Sequence, residues 1–156
     1  MTFSFPLRRL FLVLSLALAV VSGLAGCERP FVLIPGGALD AETVETPESW
    51  EFTDEVSTIQ LETNPADPYS VNIWVTALGP SLYVHAGDNR AEWIANMEAD
   101  PEVRLQVEES IYELTAARVD AQAEFDRFAD AYEKKYGRRP GNEDATEAYL
   151  FRLVAR

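Results

Sequence analysis

The chain has 156 residues, 13 basic and 26 acidic side chains, a net charge of -13, one cysteine and one histidine. A lone cysteine excludes an intramolecular disulfide, and one histidine leaves only scattered carboxylates for a metal centre. So acidic a chain repels phosphate backbones, and no basic stripe with interleaved aromatics offsets this, so nucleic acid is excluded as a partner.

The first residues read as an export signal. Arg8 and Arg9 form a positive region, Leu10 to Val21 is almost wholly apolar, and Leu24-Ala25-Gly26 places small residues before Cys27. Leu24 to Cys27 resembles the lipobox of bacterial lipoproteins, in which the cysteine sulfur is acylated and the preceding chain removed. The resemblance implies a signal peptide over residues 1–26 and a palmitate-type anchor on Cys27. A diacylglyceryl group binds a membrane stably where one acyl chain binds only marginally. Glu28 stands where an inner-membrane retention signal would carry aspartate, which favours the outer membrane, facing the periplasm. Arg8-Arg9-Leu10-Phe11-Leu12 also resembles the twin-arginine motif, which routes folded proteins and would suit one that loads a cofactor in the cytoplasm. Leu7 before the pair departs from that motif, and the general secretory route stays open.

Removing residues 1–26 takes away two arginines and no acid, so 130 residues remain with 11 basic and 26 acidic groups, a net -15. That charge is repelled by anionic head groups, so attachment rests on the acyl chains. From residue 27 to 49, Pro30, Pro35, Gly36, Gly37 and Pro47 stand among scattered acids with no apolar period, the pattern of a flexible tether. Phe31 to Ile34 is its apolar patch. Trp50 and Phe52 mark the entry to a domain over 50–156.

Within the domain the alternation of Ile59, Leu61 and Thr63 predicts a strand over Val56–Thr63. Asn64-Pro65-Ala66-Asp67-Pro68 is a turn by composition. Val71, Ile73, Val75 and Ala77 alternate with Asn72, Trp74 and Thr76; Gly79-Pro80 interrupts, and Leu82 to Ala86 alternates again, so the two runs make a hairpin. Trp93, Ile94 and Met97 then recur at helical spacing, from Asp88 until Asp100-Pro101 stops the helix. Glu102–Glu108 and Ile111–Val119 read as a second hairpin with Glu109-Ser110 at its tip. Phe125, Phe128, Tyr132 and Tyr136 lie on one face of a further helix, Lys134 and Lys135 fall in its last turn, and Gly137 ends it. Tyr149–Val154 closes the chain as a strand.

The sum is a mainly β domain with two helices, a six-stranded antiparallel sheet that removes its edges by closing into a barrel. Ser70 to Trp74 with Leu82-Tyr83-Val84, Trp93, Asp100-Pro101-Glu102-Val103 and Ala131-Tyr132-Glu133-Lys134-Lys135-Tyr136-Gly137 resemble the split β-barrel superfamily of pyridoxamine phosphate oxidase-like and deazaflavin-dependent nitroreductase-like proteins, and more narrowly its bacterial lipoproteins. The resemblance spans roughly Trp50 to Val154. It implies a homodimer holding FMN, the deazaflavin cofactor or haem at the dimer groove, and an oxidoreductase in which the cofactor supplies the hydride chemistry.

Carried across, the family's cofactor positions fall at Asn72 and Trp74 on the second strand and at His85, Asn89 and Arg90 after the third, with Trp93 beside them. A polar loop between a strand end and a helix start also offers free N–H groups to an anion. Against this, no lysine or arginine lies on Ser70–Leu78 and Arg90 is the one basic residue of the loop, whereas a phosphate needs several charge-assisted donors. A barrel without cofactor, serving as a small-ligand or protein-binding lipoprotein, is therefore the alternative. No catalytic side chain and no metal ligand is assigned.

Overall fold

The computed structural model describes residues 36–87 and 91–156. Cys27, the arginine pair, the Phe31 to Ile34 patch, Asn89 and Arg90 lie outside the described residues. Seven strands run β1 (Glu42–Thr43), β2 (Thr58–Thr63), β3 (Tyr69–Leu78), β4 (Ser81–Ala86), β5 (Glu102–Val107), β6 (Ser110–Arg118) and β7 (Tyr149–Ala155). The helices are α1 (Glu92–Ala99) and α2 (Gln122–Tyr136), with one 3-10 turn at Glu51–Thr53. The strands order as β1-β6-β5-β2-β3-β4-β7, and β6 also pairs with β7. Strands β2 to β7 thus close into a six-stranded antiparallel barrel, as expected, with β1 added in parallel outside β6.

Closure follows from the alternation. Ile59 and Leu61, Val71 to Val75, Leu82 and Val84, Val103 to Val107, Leu114 and Phe151 to Leu153 turn their apolar members into one interior cluster. A one-residue slip in any strand would turn that set outward, which fixes the register. Gly79 at φ +60 makes the two-residue turn between Leu78 and Ser81. The second hairpin turns at Glu108-Glu109, one residue before the expected tip, because Ser110 pairs with Val107 and Glu108 takes the left-handed conformation at φ 54.

Helix α1 contributes Trp93, Ile94 and Met97 to the barrel interior, and Asn96 Nδ2 donates to Thr63 Oγ1 (3.1 Å). Helix α2 covers the outer face of β3, β4 and β7. Phe125, Phe128, Ala129 and Tyr132 pack there on Tyr83, Ala148 and Leu150 in a second cluster. Gly137 at φ +72 caps this helix, its N–H donating to the Glu133 carbonyl (2.8 Å).

Residues 36–44, within the stretch expected as a tether, cross the barrel as a strap. Gly36 and Ser70 exchange two backbone hydrogen bonds (2.8 and 3.0 Å), and Glu42 and Thr43 pair with Ser110 and Ile111. Between them the Leu39 N–H donates to the buried Glu62 carboxylate, which also pairs with Arg104 (3.0 Å). Trp50 is buried in the interior cluster, while Phe52 stays 47% exposed, stacked on Trp50.

Candidate functional site

The β3–β4 ladder ends at Val75–Val84, one residue short of the point where Trp74 and His85 would face each other. The pairing stops there, and α2 lies over that point on the outer face. Tyr132 lies 6.1 Å from the Trp74 ring and 6.2 Å from the His85 imidazole, centroid to centroid. Trp74 is stacked on Tyr136 at 4.7 Å and 10°, with the Arg138 guanidinium 4.9 Å from its ring. His85 is also flanked by Phe125 (6.4 Å) and Phe128 (5.7 Å).

Burial among these rings, with the positive charge of Arg118 as the second cause, lowers the His85 pKa from 6.5 to about 4. The imidazole is therefore neutral at pH 7, and its buried Nε2 has no hydrogen-bond partner. Arg118 is the last residue of β6 and pairs with Phe151 of β7, on which His85 pairs with Leu150, so both stand at one end of the β4–β7–β6 ladder, His85 on its outer face and Arg118 on its inner one. Its Nη2 donates to the Ala148 carbonyl (2.6 Å), and its guanidinium carbon stands 4.1 Å from the Tyr149 ring centroid. Its Nη1 is buried without a partner.

A concavity of about 890 Å³ lies between the 3-10 turn, the β3 end and α2. Glu51, Asp54 and Glu55 line it from the 3-10 turn side, and Arg127, Asp130 and Lys134 from α2. Lys135 lines it too but is committed to structure: its Nζ donates to the carbonyls of Thr53 (2.7 Å) and Val75 (2.8 Å). Tyr136 Oη accepts from the Val75 N–H (3.1 Å) and approaches the Val75 and Ser57 carbonyls (2.7 and 3.0 Å). β2 stops pairing at Thr58–Trp74, so these two side chains satisfy the overhanging edge of β3. Burial lowers the Lys135 pKa, against the pull of Asp54 and Glu55, and pushes Tyr136 up to about 12.

Of the residues singled out from sequence, the structure brings Trp74 and His85 to one place, around Tyr132. Asn72 faces outward two residues before Trp74, half-buried. Trp93 is a core residue, 7% exposed, with its ring edge-on to Phe151 at 6.2 Å, and lines the barrel interior. Arg118 was not singled out. Its signal was parity: it shares the inward-facing register of Leu114 and Ala116, a position where a cation needs a reason. No group of three or more His, Cys, Asp or Glu among the described residues could hold a metal ion.

The match that bears on this geometry covers residues 82–145, β4 through α2, less than half the chain, and belongs to the family described as F420H(2)-dependent quinone reductase. The segment match and the closed barrel support the flavin- and deazaflavin-binding split-barrel superfamily expected from sequence. Ten solved chains match this one. Among them is the conserved hypothetical protein Rv2991 from Mycobacterium tuberculosis, at 18% identity and a TM-score of 0.56, covering 68% of this chain and 77% of that one. No curated protein matches. The matched family's description names a deazaflavin, which supports that cofactor among those expected from sequence. Within 82–145, Arg118 Nη1 and His85 Nε2 are each buried without a partner, and a cofactor phosphate is rich in acceptors; the two face opposite sides of the β4–β7–β6 ladder, so each fits such a group singly and not as a pair.

Proposed function

We propose that this chain is a lipid-anchored envelope protein, attached through acyl chains on Cys27 and exposed to the periplasm, whose split barrel holds a deazaflavin and works as a homodimeric oxidoreductase. The observation that carries the reading is that the deazaflavin family's match spans the segment supplying both unpartnered nitrogens. When bound, a reduced deazaflavin supplies a hydride to an electron acceptor, such as the quinone of the matched family's description.

The chain's own residues bind and exclude water. Arg118 supplies a fixed positive charge, immobilised by the Ala148 carbonyl and the Tyr149 ring. Neutral His85 adds polarity without a competing charge. Trp74, Tyr132 and Tyr136 form an aromatic wall that keeps water from that face. The alternative, a small-ligand-binding lipoprotein without cofactor, is favoured by one observation, the open two-signed groove beside α2.

The deciding measurement is the visible spectrum of protein purified from its own host, followed by titration of deazaflavin, FMN and haem. Saturable quenching of tryptophan fluorescence by deazaflavin, reduced in Trp74→Phe, is expected. No bound chromophore and no saturable signal with any of the three overturns the oxidoreductase reading in favour of the groove.

A further inference from the structure

The side chains that stand in for a neighbouring strand along β3 stop one position too soon. Beyond Thr58 the Val75 N–H and carbonyl are met by Tyr136 Oη and Lys135 Nζ. Backbone polar groups of a strand face its two edges by turns. Leu78 and Ser81 close a two-residue hairpin, so Leu78 and Thr76 face β4, and Ala77, like Val75, turns its N–H and carbonyl away from it. These two groups face the groove of about 890 Å³, which Ala77 lines, and no described residue outside the strands hydrogen-bonds to them. The other edge of β3 shows what such a position accepts. Before β4 begins to pair, Ser70 exchanges two backbone hydrogen bonds with Gly36 of the strap (2.8 and 3.0 Å), so an extended segment is seated there on a single unpaired residue.

The walls beside Ala77 differ in charge. Glu51, Asp54 and Glu55 on the 3-10 turn side form no ion pair among the described residues. On α2, Arg127 and Lys134 line the groove, and Asp130 between them is neutralised by Arg139 (2.8 Å). We propose that the groove binds an extended peptide, which adds to the β3 edge by exchanging backbone hydrogen bonds with Ala77. Adjacent side chains of an extended chain point to opposite faces. The complementary peptide therefore places a basic residue toward the acidic turn and an acidic neighbour toward Arg127 and Lys134. From Thr76 to Gly79 the edge spans about 10 Å, the length of a peptide of three or four residues. The inference is independent of the deazaflavin reading and gives the groove a ligand class of its own.

The probe is the blocked peptide acetyl-Ala-Lys-Glu-Ala-amide, titrated into the purified full chain carrying isotope-labelled alanine amides. The Ala77 amide resonance, assigned by its loss in Ala77→Gly, should shift saturably. Only one of the two central peptide amides can face Ala77, because they alternate between edges. Methylating that amide should weaken binding by about tenfold, and methylating the other should leave it nearly unchanged. Replacing both charged residues of the probe by glutamine should also weaken it by about tenfold. Glu55→Gln and Lys134→Gln, both exposed, should each weaken it less and keep the native melting temperature.

A silent Ala77 amide overturns the peptide site. So does an equal response to methylation of either amide, which would mean that the peptide is held by its charges and not by the strand edge. Unchanged affinity of the glutamine probe overturns the two-signed recognition. A shift of Ala77 with protein concentration and no peptide would assign the edge to a second copy of the chain and overturn the peptide as its occupant. The deazaflavin reading is judged by its own spectrum, so either result there leaves these outcomes as they stand.

Discussion

His85 ties local packing to the acid stability of the molecule. Its folded pKa of about 4 lies below the unfolded 6.5, so between these values the unfolded chain takes up a proton that the native one refuses. The stability it contributes is complete above pH 6.5 and is lost as pH falls toward 4, roughly 2–3 kcal/mol for a mostly buried ring. Urea unfolding at pH 7 and pH 5 should therefore show a smaller loss in His85→Gln than in the native chain. Equal losses would mean that the ring titrates near its ordinary value. Trp93 and Arg118 show what a residue's neighbours hide from sequence. Aromatic periodicity did not separate a tryptophan lining the barrel from one lining a pocket, and Arg118 became notable only when register set a cation among the inward-facing residues at the end of β6.

At the scale of elements, helix α2 is held to the barrel by more than its apolar face. Tyr136 and Lys135 replace the strand that β3 lacks beyond Thr58, so the helix end serves as a cap for a sheet edge. Tyr136→Phe keeps the stacking on Trp74 but strands the Val75 N–H, at a cost of about 1–3 kcal/mol. The expected result is a lower urea midpoint at unchanged slope. A midpoint equal to the native one would show that water serves Val75 as well.

The six barrel strands and both helices were legible because each buries one face, and burying one face writes a period into the sequence. β1 was not legible: two residues carry no period, and what holds the strap is a carboxylate and an arginine distant in sequence. The turn at Glu108 was misplaced by one residue because a left-handed glutamate has no compositional mark.

For the whole molecule, anchoring is the testable property. Acylation needs the Cys27 sulfur, so Cys27→Ser should leave an uncleaved precursor or release the domain into the soluble periplasmic fraction. Membrane-bound variant at mature size would refute the lipid anchor. No helix among the described residues is long and apolar enough to cross a membrane, and the proposal does not require one.

The strap has a mechanical consequence. Tension arriving at residue 36 meets the backbone bonds of Gly36 with Ser70, then the Glu62–Arg104 clamp on Leu39, then the pairing of Glu42 and Thr43 with β6. These fastenings lie in series, and they load β3, β2, β5 and β6 in turn, at positions apart from the β4–β7 ladder that holds His85. A domain dragged by its leash would therefore give way strap first, with the His85 end of the barrel the last to feel the pull.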